Sequence, residues 1–98
     1  MPPTNLTKYL NITLAAPTTT LVKSGQGYLH AIVINKGAAT GVITIYDGLT
    51  AGGTVIATIT QPATLLANNA TILYDVIFNN GLTIVTATAA QDITVSYL

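Results

Sequence analysis

Apolar and polar residues alternate with a period of two along most of this chain. Side chains two residues apart lie on the same face of a β-strand, so this pattern predicts strands with one buried face. Turn-forming glycine, proline, asparagine and aspartate separate the segments at intervals of about eight to twelve residues, which is typical of a β-sandwich or barrel. The predicted strands are residues 9–14, 20–23, 28–35, 42–47, 54–60, 71–78, 82–87 and 93–97. We therefore expect an all-β protein, a single β-sandwich or jelly-roll-like domain of about seven or eight short antiparallel strands.

The last third of the chain shows the alternation most clearly. Asn79, Asn80 and Gly81 separate two alternating apolar runs. Asn-Gly in such a place is a strong hairpin signal, because both residues tolerate the positive φ of a type I′ turn. The sequence therefore predicts a β-hairpin at this point, followed by a second, softer turn over residues 88–92.

The first nineteen residues differ from the rest of the chain. Pro2 and Pro3 favour an extended, polyproline-like backbone. We divide the chain into an N-terminal arm with the first strand, residues 1–19, and a β-sandwich domain, residues 20–98. Within that domain, residues 63–70 form a longer connection, which either contains one helical turn or crosses from one sheet to the other.

The content of charged residues is unusually low. They make up 6% of the sequence, with three lysines, three aspartates, no net charge, and neither arginine nor glutamate. About 25% is typical of soluble domains. The exposed faces must then be built from uncharged residues, and so little charge does little to keep copies apart. Such a surface suits contact with other proteins, and the alternative is a soluble β-domain with a threonine-rich solvent face.

The composition argues against several classes of function. Three scattered lysines cannot form the phosphate-tracking patch that dominates nucleic-acid binding. No apolar run approaches the roughly 18 residues that a membrane helix needs. The N-terminus has neither a basic region nor an apolar core, so we expect no signal peptide. The chain has no cysteine, which excludes disulfides and thiolate metal sites.

Few residues could carry chemistry. His30 is the only histidine, and we interpret it as a structural side chain because a metal site would lack ligands. A Ser/His/Asp triad would need Ser24 or Ser96, and the nucleophile-elbow pattern is absent. Asp47 precedes a glycine and is expected to cap that turn, while Asp75 lies on the face opposite Tyr74. We therefore expect no enzymatic activity, no catalytic residues, no metal and no cofactor.

Several segments of the chain resemble a known family. They are residues 23–35 (KSGQGYLHAIVIN), 43–47 (ITIYD), 53–59 (GTVIATI), 74–87 (YDVIFNNGLTIVTA) and 92–97 (DITVSY). Together they resemble small all-β structural proteins of tailed-phage virions, which include capsid decoration or cement proteins. The resemblance covers residues 20–98 and carries no catalytic meaning.

The resemblance implies a non-enzymatic structural protein on the outer face of a phage capsid. Its partners would be the major capsid protein and further copies of itself, with a homotrimer favoured, and neither nucleic acid nor membrane. The expected capsid or subunit contacts are Pro2, Pro3, Leu6 and Tyr9 in the N-terminal arm. The alternative is an Ig-like or lectin-like module of a phage fibre or tail that contacts host glycan through loop residues 47–53 and 63–69.

Overall fold

The structure, a computed structural model, describes residues 7–13, 17–62, 64 and 70–98. No helix occurs among these residues. The strands are β1 (Lys8–Ile12), β2 (Thr18–Ser24), β3 (Gly27–Lys36), β4 (Val42–Asp47), β5 (Thr54–Thr60), β6 (Ala70–Phe78), β7 (Gly81–Ala87) and β8 (Asp92–Tyr97). The prediction of a single all-β domain with about eight antiparallel strands is confirmed.

The strands form two antiparallel four-stranded sheets. Sheet A has the order β1-β8-β3-β6, and sheet B has the order β2-β7-β4-β5. The hydrogen-bonded pairs include β1 with β8, β2 with β7, β3 with β6, and β4 with β5. These pairs are nested like those of one long hairpin that has been folded into two layers. This is the strand order of an eight-stranded jelly roll.

The predicted hairpin at Asn79, Asn80 and Gly81 is wrong. β6 pairs with β3 in sheet A, whereas β7 pairs with β2 and β4 in sheet B, so the turn crosses between the layers. None of the three residues has a positive φ, which a type I′ turn would require. The alternating pattern identified both strands correctly but carries no information about which sheet each one joins.

The core lies between the two sheets. Its fully or nearly fully buried members come from six strands, mostly at alternate positions, as the period-two pattern predicts. They are Ile12, Leu29, Ile32, Ile34, Ile43, Ile45, Phe78, Leu82, Ile84, Ile93 and Val95. Tyr74 and Tyr97 pack against this cluster from its margin. The opposite positions of the same strands therefore form the two outer faces of the sandwich.

The first strand is part of the sandwich. β1 lies within residues 1–19, pairs with β8 along its whole length, and contributes Ile12 to the core. β2 begins at Thr18, two residues before the predicted strand. The helical turn considered within residues 63–70 falls largely outside the described residues.

Candidate functional site

The outer face of sheet B is formed by rows of side chains, none of which is charged. Antiparallel partners share a face, so the register aligns its side chains in rows across β2, β7, β4 and β5. The rows are Leu21–Thr83–Tyr46–Val55, then Thr19–Val85–Thr44–Thr58, then Ala87–Val42–Thr60. We call this surface the sheet B face. It is built from threonine and apolar residues.

Large apolar side chains stand exposed on the sheet B face. Leu21 is 48% exposed and Val55 is 52% exposed, at the two edges of the sheet. Thr83, between them, is fully buried, and its hydroxyl donates to the Gly48 carbonyl oxygen at 2.8 Å. Because no charge has to be desolvated, covering this face with another uncharged protein surface carries no ionic penalty.

The outer face of sheet A is chemically different, because it carries ionisable groups. Tyr28 and His30 flank buried Leu29 on β3, so both side chains lie on the outer face. The Tyr28 hydroxyl donates to Asp75 Oδ1 at 2.5 Å, and His30 Nδ1 lies 2.7 Å from the same oxygen. The two rings are stacked with their centroids 6.4 Å apart. We call these three residues the His30 cluster.

A β-bulge brings the His30 cluster together. Between Leu29 and Ala31, the register of β3 with β6 advances by three residues on β6, so Tyr74 and Asp75 together oppose His30. Asp75 has a φ of 51°, the left-handed conformation that aspartate tolerates better than most residues. Bulges re-aim side chains in this way, and here the bulge turns the Asp75 carboxylate toward His30.

The hydrogen bonds of the His30 cluster shift the acidities of its members. The bonds from the Tyr28 hydroxyl and then from His30 hold the pKa of the Asp75 carboxyl below its usual value. The same bond to the carboxylate raises the pKa of the Tyr28 phenol. Both effects favour an ionised Asp75 bonded to a neutral tyrosine.

A second polar group of side chains lies on the outer face of sheet A, around Asp92. Asn11 Nδ2 donates to Asp92 Oδ1 at 2.6 Å, and Asn35 Nδ2 donates to the same oxygen at 3.1 Å. Asn35 also donates to Thr94 Oγ1 at 2.9 Å. The bonds to Asp92 from Asn11 and then from Asn35 lower the pKa of the Asp92 carboxyl. The group ties β1, β3 and β8 together across the surface.

Asp47 caps a different turn from the predicted one. Its carboxylate accepts the backbone N–H of Asn79 at 2.9 Å and that of Asn80 at 2.8 Å. These two bonds lower the pKa of the Asp47 carboxyl. The 79–80 crossing is therefore held by a residue about 30 positions away, through a contact that local sequence cannot indicate.

The described residues contain no group of three or more histidine, cysteine, aspartate or glutamate side chains that could hold a metal ion. The sequence predicts a structural role for His30 but not its contact with Asp75. That pairing depends on the bulge, for which the sequence gives no signal. The arrangement offers a histidine–carboxylate pair on an open surface.

The predicted contact residues have different outcomes. Pro2, Pro3 and Leu6 lie outside the described residues. Tyr9 lies on β1 with 76% of its surface exposed. Of the loops suggested for glycan binding, residues 47–53 include the connection between β4 and β5, whereas residues 63–69 lie outside the described residues except for residue 64.

Within the described residues there is no helix long and apolar enough to cross a membrane. Comparisons of the chain with protein-family models, with curated proteins and with solved structures found no match.

Proposed function

We propose that this chain is a non-enzymatic structural protein of a tailed-phage virion, which binds the outer face of the capsid as a homo-oligomer and stabilises the head. The charge-free sheet B face is the observation that supports this function best. The partners would be the major capsid protein and further copies of the chain, and the resemblance described above favours a trimer. Neither nucleic acid nor membrane is proposed as a partner.

The sheet B face is small for a single stable contact. Four strands about 4.8 Å apart and three rows about 7 Å apart cover roughly 400 Å², whereas stable complexes bury about 800 Å² on each partner. Many copies on a repeating shell would add multivalency, which multiplies modest affinities without any new contact.

A charge placed at the centre of the sheet B face tests the proposal. Thr44 lies in the middle row between Val85 and Thr58, so Thr44→Lys puts an ammonium group where the face carries none. We expect this variant to remain folded and to lose co-sedimentation with empty capsid shells of the parent phage. Thr71→Lys is the matched control, because Thr71 is an exposed threonine on β6 in the other sheet.

The circular dichroism and melting temperature of both lysine variants establish that they are folded. The Thr71→Lys control should bind shells like the unmodified protein. Equal shell binding by Thr44→Lys and Thr71→Lys would show that the sheet B face is not the contact. Failure of the unmodified protein to bind shells would refute the proposed function itself.

Glycan binding is the second candidate, and the polar groups of sheet A favour it over the loops first considered. The outer face of sheet A carries the His30 cluster and the carboxylate of Asp92, which together offer donors and acceptors for a hydroxyl-rich ligand. Asp75→Asn should then abolish binding on a glycan array. An array without hits for the unmodified protein would rule out this candidate.

A further inference from the structure

The four edge strands of the sandwich are not equally protected against pairing with another strand. An edge strand exposes unpaired backbone N–H and C=O groups, and bulges are one way in which proteins prevent a second strand from adding there. The edges here are β1 and β6 in sheet A, and β2 and β5 in sheet B. Among the described residues, three of these four strands carry a bulge.

The bulges are visible in the pairing register. On β2, Leu21 and Lys23 oppose consecutive residues of β7, so Val22 is the extra residue. On β5, Ala57 and Val55 oppose consecutive residues of β4, so Ile56 is extra. β6 is interrupted beside the His30 cluster, as described above. Each bulge bends its edge and breaks the regular spacing that a further strand would need.

β1 is the exception within the described part of the chain. All five of its residues pair with β8 in unbroken register, from Lys8 opposite Tyr97 to Ile12 opposite Ile93. Its only charged residue is Lys8, at its start. β1 also presents Tyr9, whose exposed fraction is the highest among the exposed large apolar residues. This edge therefore combines a regular backbone with an aromatic ring that is largely exposed.

We propose that β1 is a strand-pairing edge, along which a second copy of the chain adds its own β1 in antiparallel, two-fold fashion to join two A sheets into one of eight strands. Strand addition of this kind gains its affinity from main-chain hydrogen bonds. The inference concerns a different surface from the sheet B face and does not depend on where in a virion the protein resides.

The sequence of β1 is compatible with pairing to itself. A two-fold axis uses the whole strand only when it passes through Leu10, its middle residue. Leu10 then faces Leu10 of the partner subunit on the core side, and Tyr9 faces Asn11 of the partner subunit on the outer side. Lys8 faces Ile12 of the partner subunit, so no like charges are opposed.

The size of the contact sets its strength. Five residues of strand are about 17 Å long, and the shortest dimension of the molecule is 19 Å. The contact plane is then roughly 300 Å², well below the 800 Å² or so per partner of a stable complex. The dimer should therefore dissociate on dilution and persist only where the local concentration of the chain is high, as on a shell. A trimer would need a separate contact.

Disulfide trapping tests the pairing, because the chain has no cysteine of its own. Chains with Tyr9→Cys are mixed with differently tagged chains carrying Asn11→Cys and oxidised with glutathione disulfide. Directly facing residues of antiparallel strands have Cα atoms about 4.5–5.5 Å apart, within the range for a disulfide. We expect the mixed dimer to outnumber the two like dimers together severalfold, whereas random crosslinking of an equal mixture would give mixed and like dimers in equal amounts. A mixture of Thr58→Cys and Thr71→Cys, on two bulged edges, is the control.

A mixed dimer at or below its statistical share, or equally fast crosslinking of the control pair, would overturn the proposal. Hydrogen exchange on the unmodified protein gives a second readout that no substitution can disturb. The β1 amides should exchange several-fold more slowly as protein concentration rises. An exchange rate that does not depend on protein concentration would contradict self-pairing. Exchange that slows only when shells are added would also contradict it, and would assign the β1 edge to contact with the capsid protein.

Discussion

Two buried threonines on β7 should respond to valine in opposite directions. Thr86 is 1% exposed, points toward the core in the same row as Ile43, and its hydroxyl has no hydrogen-bond partner among the residues that the structure describes. Thr83 is 0% exposed on the other side of the strand, and its hydroxyl donates to Gly48. Valine has nearly the shape of threonine, so each substitution mainly removes a hydroxyl group.

The magnitude follows from hydrogen bonding. Burying a hydroxyl without a partner costs about 1–3 kcal/mol in measurements on proteins, so Thr86→Val should raise the free energy of unfolding by about 1 kcal/mol or more. Thr83→Val should lower it by about 1–3 kcal/mol, because it leaves a carbonyl group without its donor. For a domain of this length, each 1 kcal/mol moves the melting temperature by about 4–8 °C.

Urea unfolding and thermal melts at one fixed pH measure both variants against the unmodified protein. The slope of the urea transition should not change, which shows that the unfolded state is the same. Destabilisation of Thr86→Val to the same extent as Thr83→Val would refute the reasoning, because it would mean that the Thr86 hydroxyl is satisfied in solution.

Three further substitutions have defined outcomes. Gly27→Ala places a methyl group 2.5 Å from the buried ring of Phe78, so the melting temperature should fall by an amount equivalent to about 1–3 kcal/mol; an unchanged value would contradict the packing. Asp47 has a lowered pKa when folded, so its stabilising effect is present above its ordinary value of 3.8 and is lost as the pH falls through the folded pKa. Asp47→Asn should therefore reduce the fall in melting temperature at acid pH, and a fall as large as that of the unmodified protein would refute this. Thr88 has a φ of 77°, which strains a β-branched residue, so Thr88→Gly should stabilise by up to about 1 kcal/mol, whereas the control Thr58→Gly within β5 should destabilise.

The sequence predicts the strands well because alternation depends only on which side chains meet the core. The buried positions of β8, Ile93 and Val95, are those that the pattern predicts. The alternation does not predict which of the two sheets a strand joins. The apolar runs on either side of Asn79 and Asn80 would look the same in a hairpin and in a crossing between two layers, so local turn chemistry gave the wrong answer.

The candidate site was less predictable than the fold. The low charge content predicts that exposed surface is built from uncharged residues. Only the register shows that the rows of uncharged side chains lie on the outer face of sheet B. The pairing of His30 with Asp75 depends on a bulge and on a left-handed residue, neither of which has a sequence signal here. The sequence predicts Tyr9 both as a contact residue and as the start of a strand, and the structure places it on an edge strand whose regular register the sequence did not indicate.

The most direct test of the proposed function is the mass of the purified protein by light scattering, measured over a range of concentrations with and without empty capsid shells. The proposal predicts a mass above the 10.1 kDa of one chain at high concentration, and co-sedimentation with the shells. A single-chain mass at every concentration, with all of the protein left in the supernatant when shells are added, would contradict it.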